Sequence, residues 1–129
     1  MKFDPLNDAI VNIKNHEHKG KTQCTITPKS KLITEVLRVF QENDFIKEFE
    51  EIEDNKGGTL KVILNHKIND CGVVKPRYPV KHDEYTDWEK QYLPSRGFGV
   101  LVVSTPNGVM SHAQAIKEET GGRLIAYVY

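Results

Sequence analysis

VLVVSTPNGVMSH, residues 100 to 112, holds the most apolar run in the chain and ends it abruptly. Four apolar residues in a row, Val100 to Val103, three of them β-branched, suit a strand covered on both faces. Pro106 cannot donate to a ladder and Asn107-Gly108 tolerates positive φ, so the strand stops there and the chain turns. Ser111 stands three residues before Gln114, the capping-box spacing that opens a helix. Two adjacent hydroxyls, Ser104 and Thr105, are therefore expected at a strand-to-turn-to-helix junction. Two readings of them stay open. Short hydroxyl residues satisfy local backbone groups where strands end. A rigid strand can also present two small donor-acceptor groups to a ligand.

Working outward, the pattern predicts a helix over about 112–119, then Gly121-Gly122 and a last strand from Leu124 to Tyr129. Upstream, Ser95-Arg96-Gly97-Phe98-Gly99 leads into the apolar strand, and residues 83–92 suit a short helix or a structured loop. Lys75-Pro76-Arg77-Tyr78-Pro79 is extended, because two prolines forbid regular helix. In the first half, Asp4-Pro5 reads as an N-cap followed by proline at the first helical position. Leu6, Ala9, Ile10 and Ile13 then share one face, which predicts a helix to about Asn15 and a polar loop from His16 to Lys21. Cys24 to Thr27 is a short strand stopped at Pro28. Ser30 caps a second helix with an apolar stripe of Leu32, Ile33, Val36, Leu37 and Phe40, ending near Asn43. Phe45 to Ile52 and Thr59 to Leu64 read as paired strands joined around Gly57-Gly58. The expected fold class is α/β in the α+β sense, with two small lobes. Residues 1–71 form an α-β-α-β-β layer, and residues 72–129 a mainly antiparallel sheet with one helix.

Composition narrows the function. At 129 residues with 18 basic and 18 acidic side chains, the chain is one domain's worth of sequence with no bulk attraction for polyanions. The charge is unevenly spread: Lys14 to Lys31 holds five lysines against the single acid Glu17, and Glu48 to Asp54 holds five acids and no base. A local basic face can bind phosphates in a neutral protein. The start lacks an apolar leader segment and no run reaches membrane-spanning length, which points to a soluble cytoplasmic protein with no membrane partner. Cys24 and Cys71 fit no CxxC pair or disulfide framework and are expected reduced and partly buried.

The familiar catalytic patterns fail. Gly97 and Gly99 begin a G-x-G, but Val102 holds the third glycine position and no helix follows. Ser104 and His112 are the residues a hydrolase would use, yet no G-x-S-x-G elbow surrounds the serine and no acid is marked out to orient the histidine. His16-x-His18 lacks a third metal ligand. Gly121-Gly122 can end a helix in a left-handed cap, or let another backbone, RNA included, approach closely. What remains is a cluster of hydroxyls, an asparagine and bare glycine backbone, with lysines from the first half as neighbours. That inventory suits nucleic-acid shape recognition, in which hydroxyl and amide groups touch sugars and base edges while lysines meet phosphates.

GVLVVSTPNGVMSHAQA, Gly99 to Ala115, resembles the signature of the small-subunit ribosomal protein S-eight family. Asp4-Pro5-Leu6 with Asn15, Pro28 to Leu32 with Asn43 to Ile46, Lys75-Pro76-Arg77, and Gly121-Gly122 with Tyr127-Val128-Tyr129 are similar to further motifs of that family, in order. The segment from Tyr78 to Phe98 resembles its archaeal and eukaryotic branch. Pro106 stands where the family often has Ser or Thr, and Arg123 where bacterial members have Glu.

The resemblance implies a non-enzymatic protein that needs no cofactor or metal and is a monomer when free. It would bind a helical junction in the central domain of small-subunit rRNA and support assembly, beside neighbouring ribosomal proteins. Ser104, Thr105, Asn107 and Gly108 would enter the minor groove, with Gly121 and Gly122 beside them. Lys14, Asn15, Lys29, Ser30 and Lys31 would meet the backbone from the other lobe, with Lys75 and Arg77 completing the rRNA-binding set. The alternatives are a hydrolase using Ser104 and His112, and a protein-protein adaptor using the aromatic segment Tyr85 to Tyr92.

Overall fold

A computed structural model describes residues 4–27, 29–53, 58–95 and 98–129. The expectations that rest on Pro28, Gly57, Arg96 and Gly97 lie outside these residues. Helix α1 runs Pro5–His18, opened by Asp4, whose side chain accepts from the Asn7 N–H. Strand β1 is Gln23–Ile26, and helix α2, Lys31–Glu42, opens where Ser30 Oγ accepts from Ile33 N. Strands β2, Ile46–Ile52, and β3, Thr59–Leu64, complete an antiparallel sheet in the order β1-β3-β2. Alternate β3 residues Leu60, Val62 and Leu64 point into the core, as period-two spacing requires.

The second sheet begins at β4, Cys71–Val73, followed by β5, Pro79–Val80, and helix α3, Tyr85–Tyr92. Strand β6, Val100–Thr105, turns into β7, Gly108–Ser111, which leads into helix α4, His112–Lys117. Strand β8, Gly122–Val128, pairs with β4, β5 and β6, giving the order β4-β8-β6-β7 with β5 on β8. Mixed helices and antiparallel sheets make this an α+β fold, as expected.

Strand β6 is covered on both sides, which is why its sequence is apolar without alternation. Val100 and Val102 join one buried cluster with Ile125, Ala126 and Val128 from β8. That cluster continues through Ile10 and Ile13 of α1, Val36 and Phe40 of α2, and Leu60 and Val62 of β3. Leu101 and Val103 face a second cluster with Tyr85, Leu93, Ala115 and Leu124. The first core therefore draws on both sheets.

Four features depart from the pattern-based expectation. Helix α1 continues three residues past Asn15, because Glu17 takes the inward position one turn beyond Ile13 and Lys19 N closes the helix on Asn15 O. Residues 108–111 form strand β7 rather than a bare turn, so the junction is strand, two-residue turn, strand, helix. The second half carries two helices, since residues 85–92 are helical and the Tyr85 hydroxyl, buried, donates to Thr120 O at 3.1 Å. Gly121 and Gly122 do not cap α4: the helix closes at Glu118, and the left-handed residue is Glu119 at φ 53°. Both cysteines are free and buried.

Candidate nucleic-acid interface

The site is built on the tip of the β6–β7 hairpin. Thr105 pairs with Gly108 across the two-residue turn, and Ser104 with Val109. The Thr105 hydroxyl donates to Gly108 O at 2.7 Å and accepts from Asn107 N at 3.1 Å. It is buried and spent on closing the turn, so the local reading holds for Thr105. Ser104 differs. Alternation turns it to the opposite face, where it is exposed and its hydroxyl has no hydrogen-bond partner among the described residues. Gly108 sits at φ +121° with open space where a side chain would be, which leaves its backbone bare. Asn107 is exposed and reaches Glu118 Oε1 at 3.4 Å.

Gly121 and Gly122 admit a close backbone approach, but from the protein itself. A Cβ on Gly122 would lie 2.3 Å from Ser104 O, and one on Gly121 2.5 Å from Val80 O. Gly122 thus sets how closely β8 lies against the strand that carries Ser104, and Gly121 how closely the chain before β8 lies against β5.

Two arginines not placed at the site from the sequence border the tip. Arg123 lies opposite Ser104 in the β6–β8 ladder, and its Nη1 donates to Arg77 O at 3.2 Å. Arg77 is brought to the hairpin through this contact. Arg38 Nη2 donates to Val109 O at 2.8 Å, while its guanidinium also pairs with Glu35 and Glu42. A shallow groove lined by Arg38, Asn43, Asn107, Ser111, Gln114 and Glu118 runs between α2 and the hairpin. The available signals were Arg123 directly after the paired glycines and Arg38 two turns beyond Lys31.

The lysines spread along two helices. Lys31, Thr34 and Arg38 fall on one side of α2, so the basic start of the helix connects with the hairpin over about 10 Å of helix axis. Lys31 is exposed with no ion pair among the described residues, whereas Ser30 is occupied as the N-cap. Lys29 Nζ bonds Glu51 at 3.0 Å and Glu53 at 3.3 Å, and these bonds, Glu51's first, raise its pKa above the usual lysine value. Lys14 Nζ lies 2.8 Å from Asp70, and Lys75 Nζ 2.7 Å from Asp4, which the Lys75 bond holds below the usual carboxylate range. Asn15 is exposed beside Lys14 on α1. Lys14 and Lys75 are thus held by Asp70 and Asp4.

The geometry speaks against nucleophilic catalysis. His112 is buried, its Nδ1 accepts from Leu101 N at 3.0 Å, and its Nε2 lies 3.1 Å from Glu89. The β6–β7 ladder stops at the Val102–Ser111 pair, and the ring takes up the next strand N–H. Neither ring nitrogen is free to serve Ser104. Burial holds the imidazole below its usual pKa, while Glu89 pulls the other way. His16 and His18 turn to Asn12 O and Asn69 O. Among the described residues no group of three His, Cys, Asp or Glu is placed to hold a metal, and no helix is long and apolar enough to cross a membrane. The rings of Tyr78, Trp88, Tyr92, Tyr127 and Tyr129 stack in sequence over the second sheet, so the aromatic segment packs within the protein.

An exposed polar hairpin tip on a doubly buried strand, with arginines at its flanks, is a surface suited to meeting a ligand. Residues 4–129 match the family model of ribosomal protein S8, and the chain belongs to that family. It is thus a non-enzymatic protein of the small ribosomal subunit that binds rRNA.

Proposed function

We propose that this protein binds a helical junction in the central domain of small-subunit rRNA and orders that region during assembly in the cytoplasm, reaching it as a monomer. The observation that carries this reading is Ser104, an exposed hydroxyl with no hydrogen-bond partner among the described residues, held at the end of a strand with a fully buried stem. Ser104 and Asn107 offer hydrogen bonds to 2′-hydroxyls and base edges, and the bare backbone of Gly108 permits close approach. Thr105, Gly121 and Gly122 act from behind by fixing the shape of the tip. Arg123, Arg77 and Lys31 meet phosphates around it, joined by Lys29 and Ser30 at the start of α2. Lys14, Asn15 and Lys75 form a second backbone contact from α1 and the approach to β5. Neighbouring ribosomal proteins take surfaces that the RNA leaves.

Chemical footprinting of the full-length protein on small-subunit rRNA tests this. Protection confined to one central-domain helix and its junction supports it. Protection elsewhere, or spread evenly along the RNA, overturns it.

A further inference from the structure

Four cations near the proposed RNA face already hold carboxylates of the same chain: Lys14 with Asp70, Lys75 with Asp4, Arg38 with Glu35 and Glu42, and Lys29 with Glu51 and Glu53. Lys29 is the most deliberately held. Its N–H donates to Gly58 O at 3.2 Å. Its alkyl stem lies across Gly58 so closely that a Cβ there would stand 2.7 Å from Lys29 Cδ and Cε. The stem delivers the ammonium to the end of the acidic strand β2, between Glu51 of the strand and Glu53 just past it. Those carboxylates face solvent, Glu51 being 48% and Glu53 87% exposed at the side chain. Exposed pairs of this kind are weak and exchange readily.

We propose that Glu51 and Glu53 are phosphate surrogates for Lys29, a specificity filter that RNA docked at the hairpin displaces and stray polyanions do not. This rests on the rRNA-binding reading above. A lysine already neutralised within the protein exerts little pull on a passing phosphate, because the opposing charges cancel beyond a few ångströms in salt water. Once the hairpin has docked, a phosphate held at the start of α2 competes locally and takes the ammonium. The freed carboxylates then take up cations, so this contact releases fewer ions than an unpaired lysine would.

The test uses the full-length protein, a central-domain rRNA transcript and a random-sequence RNA of equal length. Variants are E51Q/E53Q, the control E48Q/E50Q on the same strand away from Lys29, and E51Q/E53Q combined with Lys29→Met. E51Q/E53Q is expected to bind random RNA about two- to tenfold more tightly and to steepen the slope of log affinity against log salt by about 0.7–0.9. Its preference for the central-domain transcript falls. The control changes less, and Lys29→Met abolishes the gain. Equal gains in both double variants, or a gain that survives Lys29→Met, overturn the filter and leave only bulk charge. A retained preference with an unchanged slope in E51Q/E53Q overturns the filter alone. No preference for the central-domain transcript in the wild type overturns the rRNA reading and the filter together.

Discussion

Ser104 and Arg123 stand opposite one another in the β6–β8 ladder, and both are exposed. Directly opposed residues project to the same face about 5 Å apart at Cβ. A hydroxyl and a guanidinium are thereby fixed side by side, with Arg77 O steadying the arginine at 3.2 Å. The combination separates two kinds of binding energy experimentally.

Replacing Arg123 by Gln should remove the proposed phosphate contact and leave the strand intact. The slope of log affinity against log salt is expected to fall by about 0.7–0.9, with affinity reduced on matched and mismatched RNA alike. Titrations at several salt concentrations check this. A steep loss confined to the matched RNA would instead assign Arg123 to base recognition.

Gly122→Ala is expected to destabilise the fold by at least about 2 kcal/mol, because the new methyl would sit 2.3 Å from the Ser104 carbonyl oxygen, which is backbone and has no room to move. Gly20→Ala, at φ +70° with nothing within 4 Å, should cost only about 1–2 kcal/mol through conformation alone. Urea denaturation of the two variants gives the comparison. Equal stabilities would show that β8 can draw back from β6.

His112 makes stability depend on pH in a defined direction. Its folded pKa lies below the ordinary 6.5, chiefly because burial disfavours the charged ring. The contribution is fully present above 6.5 and is lost as pH falls through the folded value. Glu17 works the other way: burial raises its pKa, so acid relieves the cost of its Oε2, which has no hydrogen-bond partner among the described residues. NMR titration of the two side chains separates them. A His112 ring titrating above 6.5, or lacking the Nε2–H tautomer in neutral solution, would contradict the geometry.

Much of the fold was legible because local rules and tertiary packing agree. Asp4-Pro5, Ser30 and Ser111 cap the helices they were expected to cap. Val100 to Val103 is buried on both faces as its unbroken run implied. Strand β7 was not legible, since Gly108–Ser111 is too short to show alternation and becomes a strand only through its register with β6. The extension of α1 was hidden because a core-facing glutamate, Glu17, reads as surface. At the site, sequence named the turn at the end of the strand but could not tell Ser104 from Thr105. Only the turn shows which hydroxyl is consumed. Nor could charge counts reveal that Lys14, Lys29 and Lys75 have acid partners on other elements.

The two halves are expected to bind RNA only together. Val100, Val102, Ile125, Ala126 and Val128 share one buried cluster with α1, α2 and β3, so a fragment of residues 72–129 exposes that face. It should unfold without a cooperative transition and bind rRNA weakly. A fragment that melts cooperatively and binds as tightly as the full chain would refute this.

The central claim is that the exposed hydroxyl at the hairpin tip reads RNA. The most direct measurement is the affinity of Ser104→Ala for a central-domain rRNA transcript, alongside its thermal stability and with Thr105→Ala for comparison. Loss of the Ser104 hydroxyl leaves RNA groups unpaired and should cost about 1–3 kcal/mol, or roughly five- to hundredfold in affinity, with the melting temperature and salt slope unchanged. Thr105→Ala should instead lower the melting temperature, because two hydrogen bonds that close the turn are lost. Unchanged affinity in a folded Ser104→Ala protein would contradict the account.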